Sequence, residues 1–450
     1  MSSRLINSLA TTDALAAAFS DAAFLQGMLD FETALARAEA SAGLVPSAAA
    51  SAITRAAVAR DFDIDAIVQG ARSHATPVVT VVQMLEARVE ATDAQAARWV
   101  HFGATSQDVF DTALVLCVRT AWPSLERDHT RVVEALDRLA KEHSGTVMLG
   151  RTLLQPATPI TFGLKAAGWL GSLSRSWKAC VLAHESAMVL QFGGAAGTLA
   201  VLGNKGGSVE AALAKELGLS VPDAPWHAHR DRLATLVAAC GIYTGALGKV
   251  ARDISLLMQH EVGEVFERGG GSSTMPHKRN PSGCAIALAA ATRLPGLVAA
   301  MLSSMPHEHE RSAGGWHTEA PIVADVIQTT GSALSAMADT IDGLTIDPAR
   351  MRHNIDATRG AIFAERVVMT IAPAVGRAKA TDMVKKAMDT AKRSGSTFAD
   401  AVAGMPEVAA LMSRDDIAGL AVPENYLGVA DAFRQRLIAS ATHARPSGKR

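Results

Sequence analysis

Between positions 236 and 257 apolar residues recur at alternating spacings of four and three: Leu236, Cys240, Tyr243, Leu247, Val250, Ile254 and Leu257. This is a heptad stripe, and it predicts one long helix whose seam lies against other long helices. A seam of this length cannot face water, so the chain is expected to build a helix bundle. The stripe alone leaves open whether the partner helices come from the same chain or from another copy. Residues 113–139 and 159–190 carry helical periodicity too, the first interrupted by Pro123, which is expected to kink or split its helix. Aromatic residues make up 4% of the chain and β-branched clusters are sparse, while alanine is abundant. Those preferences favour helix over strand, and the fold class expected is all-α.

Residues 193–207, rich in glycine and alanine, and residues 221–226, where Pro222 and Pro225 forbid helix, read as loops. From Asp347 the segments shorten around Pro373, Pro406 and Pro423. The expected division is an N-terminal helical domain (1–109), a central long-helix domain (110–345) and a C-terminal helical domain (346–450), with 442–450 a disordered tail.

The 43 Lys and Arg balance 44 Asp and Glu, giving a formal net charge of −1. That balance argues against partners such as nucleic acid or an anionic membrane surface. The most apolar stretch, Ala285 to Met305, is broken by Arg293 and Pro295 and largely made of alanine, so it is read as a buried helix rather than a membrane span. The first ten residues lack the apolar run of a secretory signal, and a cytoplasmic location is expected. Cys117, Cys180, Cys240 and Cys284 lie far apart with no CxxC, suggesting neither a disulfide framework nor a zinc site. His227, His229, His307, His309 and His317 lack a metal-ligand spacing, so no metal and no cofactor is expected. Arg252 and Asp253 read as an ion pair within the bundle.

The sharpest local feature is Gly269-Gly270-Gly271-Ser272-Ser273-Thr274-Met275-Pro276-His277-Lys278-Arg279-Asn280-Pro281. Its glycines permit φ > 0 and expose N–H groups to an anion, and Lys278 and Arg279 add charge close to two serines. Such a loop can bind carboxylates and make a serine proton more acidic. In His101-Phe102-Gly103-Ala104-Thr105-Ser106-Gln107-Asp108, Thr105 stands three residues before Asp108, the spacing of a capping box, so a helix is expected to begin there. Its first-turn N–H groups could hold a carboxylate beside the Thr105 and Ser106 hydroxyls. Gly150-Arg151-Thr152-Leu153-Leu154-Gln155-Pro156 supplies a guanidinium, a hydroxyl and an amide, a weak signal by itself.

Taken in order, these segments resemble the three signature regions of the fumarase/aspartase superfamily, and the resemblance covers nearly the whole chain. It implies a three-domain, almost wholly helical subunit around a central bundle, assembled as a homotetramer whose active sites collect the three regions from three subunits. Four further stretches are similar to the carboxymuconate cycloisomerases, or lactonizing enzymes: residues 190–195, 226–231, 248–259 and 308–319. This closer resemblance implies lactonization of a muconate tricarboxylate in aromatic catabolism, with Ser272 transferring the proton, Ser273 competing for that role, and Lys278 and Asn280 stabilising the charge that accumulates. Arg151, Arg230 and Lys278 are then candidates to meet the substrate's carboxylates, helped by Thr105, Ser106 and Gln155, with His101, Met275 and His277 close by.

The departures also bear on function. Several superfamily lyases carry a histidine directly after Gly-Arg-Thr to handle a leaving-group proton, and Leu153 here cannot. The cycloisomerases commonly have tryptophan at the position of Leu153 and histidine at that of Pro156. A leucine reshapes the pocket wall and could admit a tetrahedral sulfonate, which makes a 3-sulfomuconate a second candidate substrate. The serine loop is equally compatible with a fumarate-releasing lyase of the adenylosuccinate or argininosuccinate type, and with a silent scaffold on the same fold.

Overall fold

The structure, a computed structural model, describes residues 5–269, 271, 275, 277–420 and 422–443. Helix α1 (Asp21–Ser41) starts where the Ser20 hydroxyl accepts the Ala23 N–H at 3.2 Å, with Asp21 in the first turn complementing the helix dipole. The long helices that follow are α2 (Ser106–Glu142), α3 (Phe162–Ala187), α4 (Asp231–Leu257), α5 (Ser282–Ser304) and α6 (Gly315–Asp342). The heptad stripe falls on α4, and each of its seven members is buried. Pro123 does not split its helix, because α2 runs through it. The lost backbone bond is offset by burial of the flanking Ala121, Trp122 and Leu125.

The chain is mostly helical, with little sheet. Strands β1 (Val147–Thr152) and β2 (Gln155–Thr161) form an antiparallel hairpin, and β3 (Val265–Phe266) pairs with β4 (Thr345–Ile346). The first hairpin closes with Leu153 and Leu154, which carry none of the Asn-Gly chemistry that announces a two-residue turn. Gly150 sits at its register shift, where a Cβ would lie 2.6 Å from the Thr158 carbonyl oxygen.

The chain divides into two compact units. One comprises Met1–His129, Ser176–Gly248 and Ile286–Ala336. Its interior contains a stack of His184, Trp122, Trp177 and His129 rings, closed by Tyr243, whose hydroxyl lies 2.9 Å from His129 Nδ1. The other comprises Thr130–Arg175, Lys249–Ala285 and Met337–Arg450. In it α7 (Pro348–Asp356) is followed by α8 (Ala364–Val375) and α9 (Arg377–Ser394), whose apolar faces bury Val367, Ile371, Met383 and Val384 around Phe398.

Two expectations need correction. Asp253 accepts from Trp169 Nε1 at 2.8 Å and pairs with Lys249, not with Arg252, because successive side chains on a helix diverge. Helix α5 is long and apolar enough to cross a membrane, yet only 22% of its most apolar stretch is buried in this chain, against 61% for α4. Its exposed face carries Ala285, Ala289, Thr292, Gly296, Ala299 and Ser303, a second heptad-spaced stripe made of small residues.

Candidate active site

In the first unit Thr105 precedes α2, and the reciprocal half of the expected box is present: its N–H donates to Asp108 Oδ2 at 3.0 Å. The Asp108 carboxylate also accepts the N–H groups of Gly193 and Gly194, both at 3.0 Å, and lies 2.7 Å from His227 Nε2. One buried aspartate therefore fixes the segment that carries His101, Thr105 and Ser106. His101 adopts a left-handed φ of +58°, and its Nδ1 lies 2.6 Å from Glu32 Oε1. Burial works against its charge, but the Glu32 carboxylate, helped by Asp108, outweighs burial and raises the imidazole pKa above its ordinary 6.5.

Arg230 does not fit the role expected for it. It is fully buried, its Nη1 and Nη2 donate to Asp111 at 2.7 and 3.0 Å, and its Nε donates to Glu319 at 2.7 Å. Burial tends to raise the Asp111 pKa, yet Arg230 holds it below the ordinary range; for Glu319 burial prevails and the pKa rises. Trp316 and Gln107 complete the cage, donating to Asp111 at 2.9 and 3.1 Å. Its charge is matched inside the protein, leaving it unavailable to substrate.

In the second unit the hairpin presents Leu153 and Leu154 in left-handed conformations, φ +48° and +64°, with Leu153 96% exposed. Gln155, next to this tip, is exposed. Arg151 lies behind it and donates a parallel pair of bonds to Glu264 at 2.9 and 2.6 Å. Asn354 Nδ2 adds a bond to the same carboxylate at 2.8 Å. Arg151 thus has two donors committed to a fully buried anion, and Glu264, which the sequence did not single out, anchors the hairpin arginine.

The serine loop lies between β3 and α5. Ser272 and Ser273, the residues expected to carry the proton, lie outside the described residues. The described part is framed at both ends. Glu267 is buried and accepts the N–H groups of Gly283 and Cys284 at 2.6 and 3.4 Å, capping the start of α5 with an anion. Gly271 and Arg279 form an antiparallel bridge, and the Arg279 guanidinium lies 5.3 Å over the Phe266 ring. From this frame Met275, His277 and Lys278 are exposed and Asn280 is half-buried. A 610 Å³ cavity opens at the stem, lined by Glu267, Arg268, Arg279 and Asp342.

Residues 8–296 match the lyase family, and residues 360–437 match the adenylosuccinate lyase C-terminus family. The chain belongs to the lyase family within the fumarase/aspartase superfamily. It is 44% identical over 442 residues to a 3-carboxy-cis,cis-muconate cycloisomerase from Bradyrhizobium diazoefficiens, covering 97% of this chain and 98% of that protein. It is 40% identical to a nitrosuccinate lyase from Streptomyces davaonensis, covering 96% of this chain and 93% of that protein. The crystal structure of a 3-carboxy-cis,cis-muconate lactonizing enzyme from Pseudomonas putida superposes with a TM-score of 0.93 at 41% identity, covering 99% of this chain and all of that one.

Proposed function

We propose that this protein is a 3-carboxy-cis,cis-muconate cycloisomerase, a cytoplasmic homotetramer acting in the breakdown of aromatic ring-cleavage products. The observation that carries the reading is Leu153, exposed at the hairpin tip at the position where several lyases of the superfamily carry a histidine. Leucine cannot move a proton, so chemistry needing a second acid at that position is disfavoured. Lactonization needs less. A carboxylate of the substrate adds to a double-bond carbon of the same molecule, so nucleophile and leaving group are tethered throughout. The protein has to deliver one proton to carbon and stabilise the charge that collects on the neighbouring carboxylate.

In this reading Ser272 delivers the proton, with Ser273 the competing choice, and Lys278 and Asn280 stabilise the charge. A serine hydroxyl becomes acidic enough only beside oriented N–H groups and a cation, and Lys278 supplies the cation. Assembly into a homotetramer is supported by α5, whose apolar, small-residue face lies uncovered in a single chain. Small residues let helices of neighbouring copies approach closely.

The test follows the ultraviolet absorbance of 3-carboxy-cis,cis-muconate and of 3-sulfomuconate in parallel, with fumarate release from succinyl substrates as the competing assay. The carboxylate is expected to turn over, with Ser272→Ala reducing kcat by about 10²–10⁴-fold. Better kcat/KM on the sulfonate would reassign the anion. Fumarate release without turnover of either muconate would replace this reading with the lyase one, which the similarity to a nitrosuccinate lyase keeps in view.

A further inference from the structure

A tricarboxylate substrate requires cations, yet two of the arginines that the sequence offers are already matched. Arg230 is enclosed by Asp111 and Glu319, and Arg151 is bonded to Glu264. In the first unit, the basic group in the signature segment itself is His101. Its environment is unusual. Glu32 lies on α1 with 1% of its surface exposed, its Oε1 is bonded to His101 Nδ1, and its Oε2 has no hydrogen-bond partner among the described residues. A buried carboxylate with so few hydrogen bonds needs a countercharge.

Two turns along α1, Glu39 is fully buried, and neither of its carboxyl oxygens has a partner among the described residues. Burial, then the nearby Glu32 charge, pushes its pKa up to about 9, so Glu39 is neutral. On this face of α1 the carboxylate bonded to a basic group is that of Glu32. Among the described residues, the ionisable groups tied to the same segment are Asp108, bonded to His227 and to the Gly194 N–H, and Arg311, which donates to the carbonyls of Gly194 and Ala195.

We infer that Glu32 is a positioning residue: it holds His101 as an imidazolium whose Nε2–H donates to a substrate carboxylate at the Thr105–Ser106 segment. Among the described residues Nε2 makes no hydrogen bond, and the ring is 19% exposed, which leaves this donor for a ligand. The left-handed backbone at His101, an unfavourable conformation for a non-glycine residue, is retained while the short bond to Glu32 fixes the ring. The substrate half of the inference rests on the cycloisomerase reading.

The experiment compares the intact protein with Glu32→Gln and Glu39→Gln. Glutamine at 32 keeps the shape and removes the charge, so burial, which acts more strongly on His101 than the remaining Asp108 carboxylate, then favours the neutral ring. KM for the muconate is expected to climb at lower pH in Glu32→Gln than in wild type, reaching about tenfold or more above wild type at pH 8, with kcat changed less than about threefold. Glu39→Gln replaces a neutral acid by a neutral amide and is expected to leave the KM–pH profile in place. In parallel, the ring of ¹³C-labelled His101, assigned with His101→Asn, is titrated by NMR, and its midpoint is expected to fall in Glu32→Gln. Superimposable KM–pH profiles, or a fall in kcat at constant KM, would overturn the substrate half. An unshifted His101 midpoint would overturn the Glu32 half even if the wild-type protein turned over no muconate, an outcome that separates this inference from failure of the functional reading.

Discussion

Nε2 of His227 lies 2.7 Å from Oδ1 of Asp108, and both side chains are buried. The same carboxylate accepts three backbone N–H groups, so a single aspartate joins the start of α2, the glycine turn at 193–194 and the loop bearing His227. Asp108→Asn places an amide NH₂ against a set of donors. It is expected to lower unfolding free energy by about 2–4 kcal/mol in urea, and to raise KM more than it lowers kcat, because Thr105 and Ser106 lose their fixed position. An unchanged urea midpoint together with an unchanged KM would show that this hub is dispensable.

The Leu153-Leu154 turn stores strain at the tip of the β1–β2 hairpin. Left-handed backbone costs each non-glycine residue roughly 1–2 kcal/mol, and a two-residue hairpin of this kind normally takes Asn-Gly. Replacing the pair by Asn-Gly is expected to raise Tm, by about 1–3 °C given the size of the chain, and to cut kcat/KM at least about tenfold through loss of the apolar tip. Calorimetry and steady-state kinetics on the same preparation check both halves. A turn variant that gained stability and kept full activity would make the leucines incidental.

How much was legible in the sequence follows from where each interaction partner lies. The α4 stripe could be read because its periodicity is local, and every member proved buried. Arg230 was misread as a substrate cation because its partners stand far away in the chain, Asp111 by 119 positions and Glu319 by 89, and charge pairing leaves no local trace. Glu264, which occupies Arg151, is 113 positions from it. Glu32 could have been noticed as one of two carboxylates seven residues apart on the largely apolar buried face of α1. The hairpin was hidden by its leucine turn. For α5, composition was read as burial, but only 22% of its most apolar stretch is buried in this chain, because apolar content does not say which surface a helix packs against.

That uncovered face gives a direct test of assembly. Ala289 lies in the middle of the exposed small-residue stripe of α5, and arginine there would put a long, hydrated cation where helices of neighbouring copies are expected to pack. Ala289→Arg is expected to shift the mass found by light scattering from a tetramer to smaller species while leaving helical circular dichroism in place. Arg293→Lys, on the same helix but held by Asp325, serves as the surface control. A tetramer that persists in Ala289→Arg would place the assembly surface elsewhere.

Acid sensitivity should trace to the buried ring stack. Burial pushes the His129 pKa down to about 3, and its Nδ1 is hydrogen-bonded to the Tyr243 hydroxyl at 2.9 Å. Unfolded, the same imidazole titrates near 6.5, so between about pH 3 and 6.5 the unfolded chain binds the extra proton and stability falls as pH falls. The slope approaches about 1.4 kcal/mol per pH unit below 6.5 for this one residue. His184, pushed down to about 4 by burial, acts in the same direction. His129→Phe keeps a ring against Trp177 and leaves the Tyr243 hydroxyl without this hydrogen-bond partner, lowering stability at pH 7 by about 1–2 kcal/mol. The slope between pH 6 and 5 should nevertheless flatten, so the two proteins converge on acidification. Urea unfolding at fixed protein concentration across that range checks this, and parallel pH dependences would rule out His129 as the acid-sensitive group.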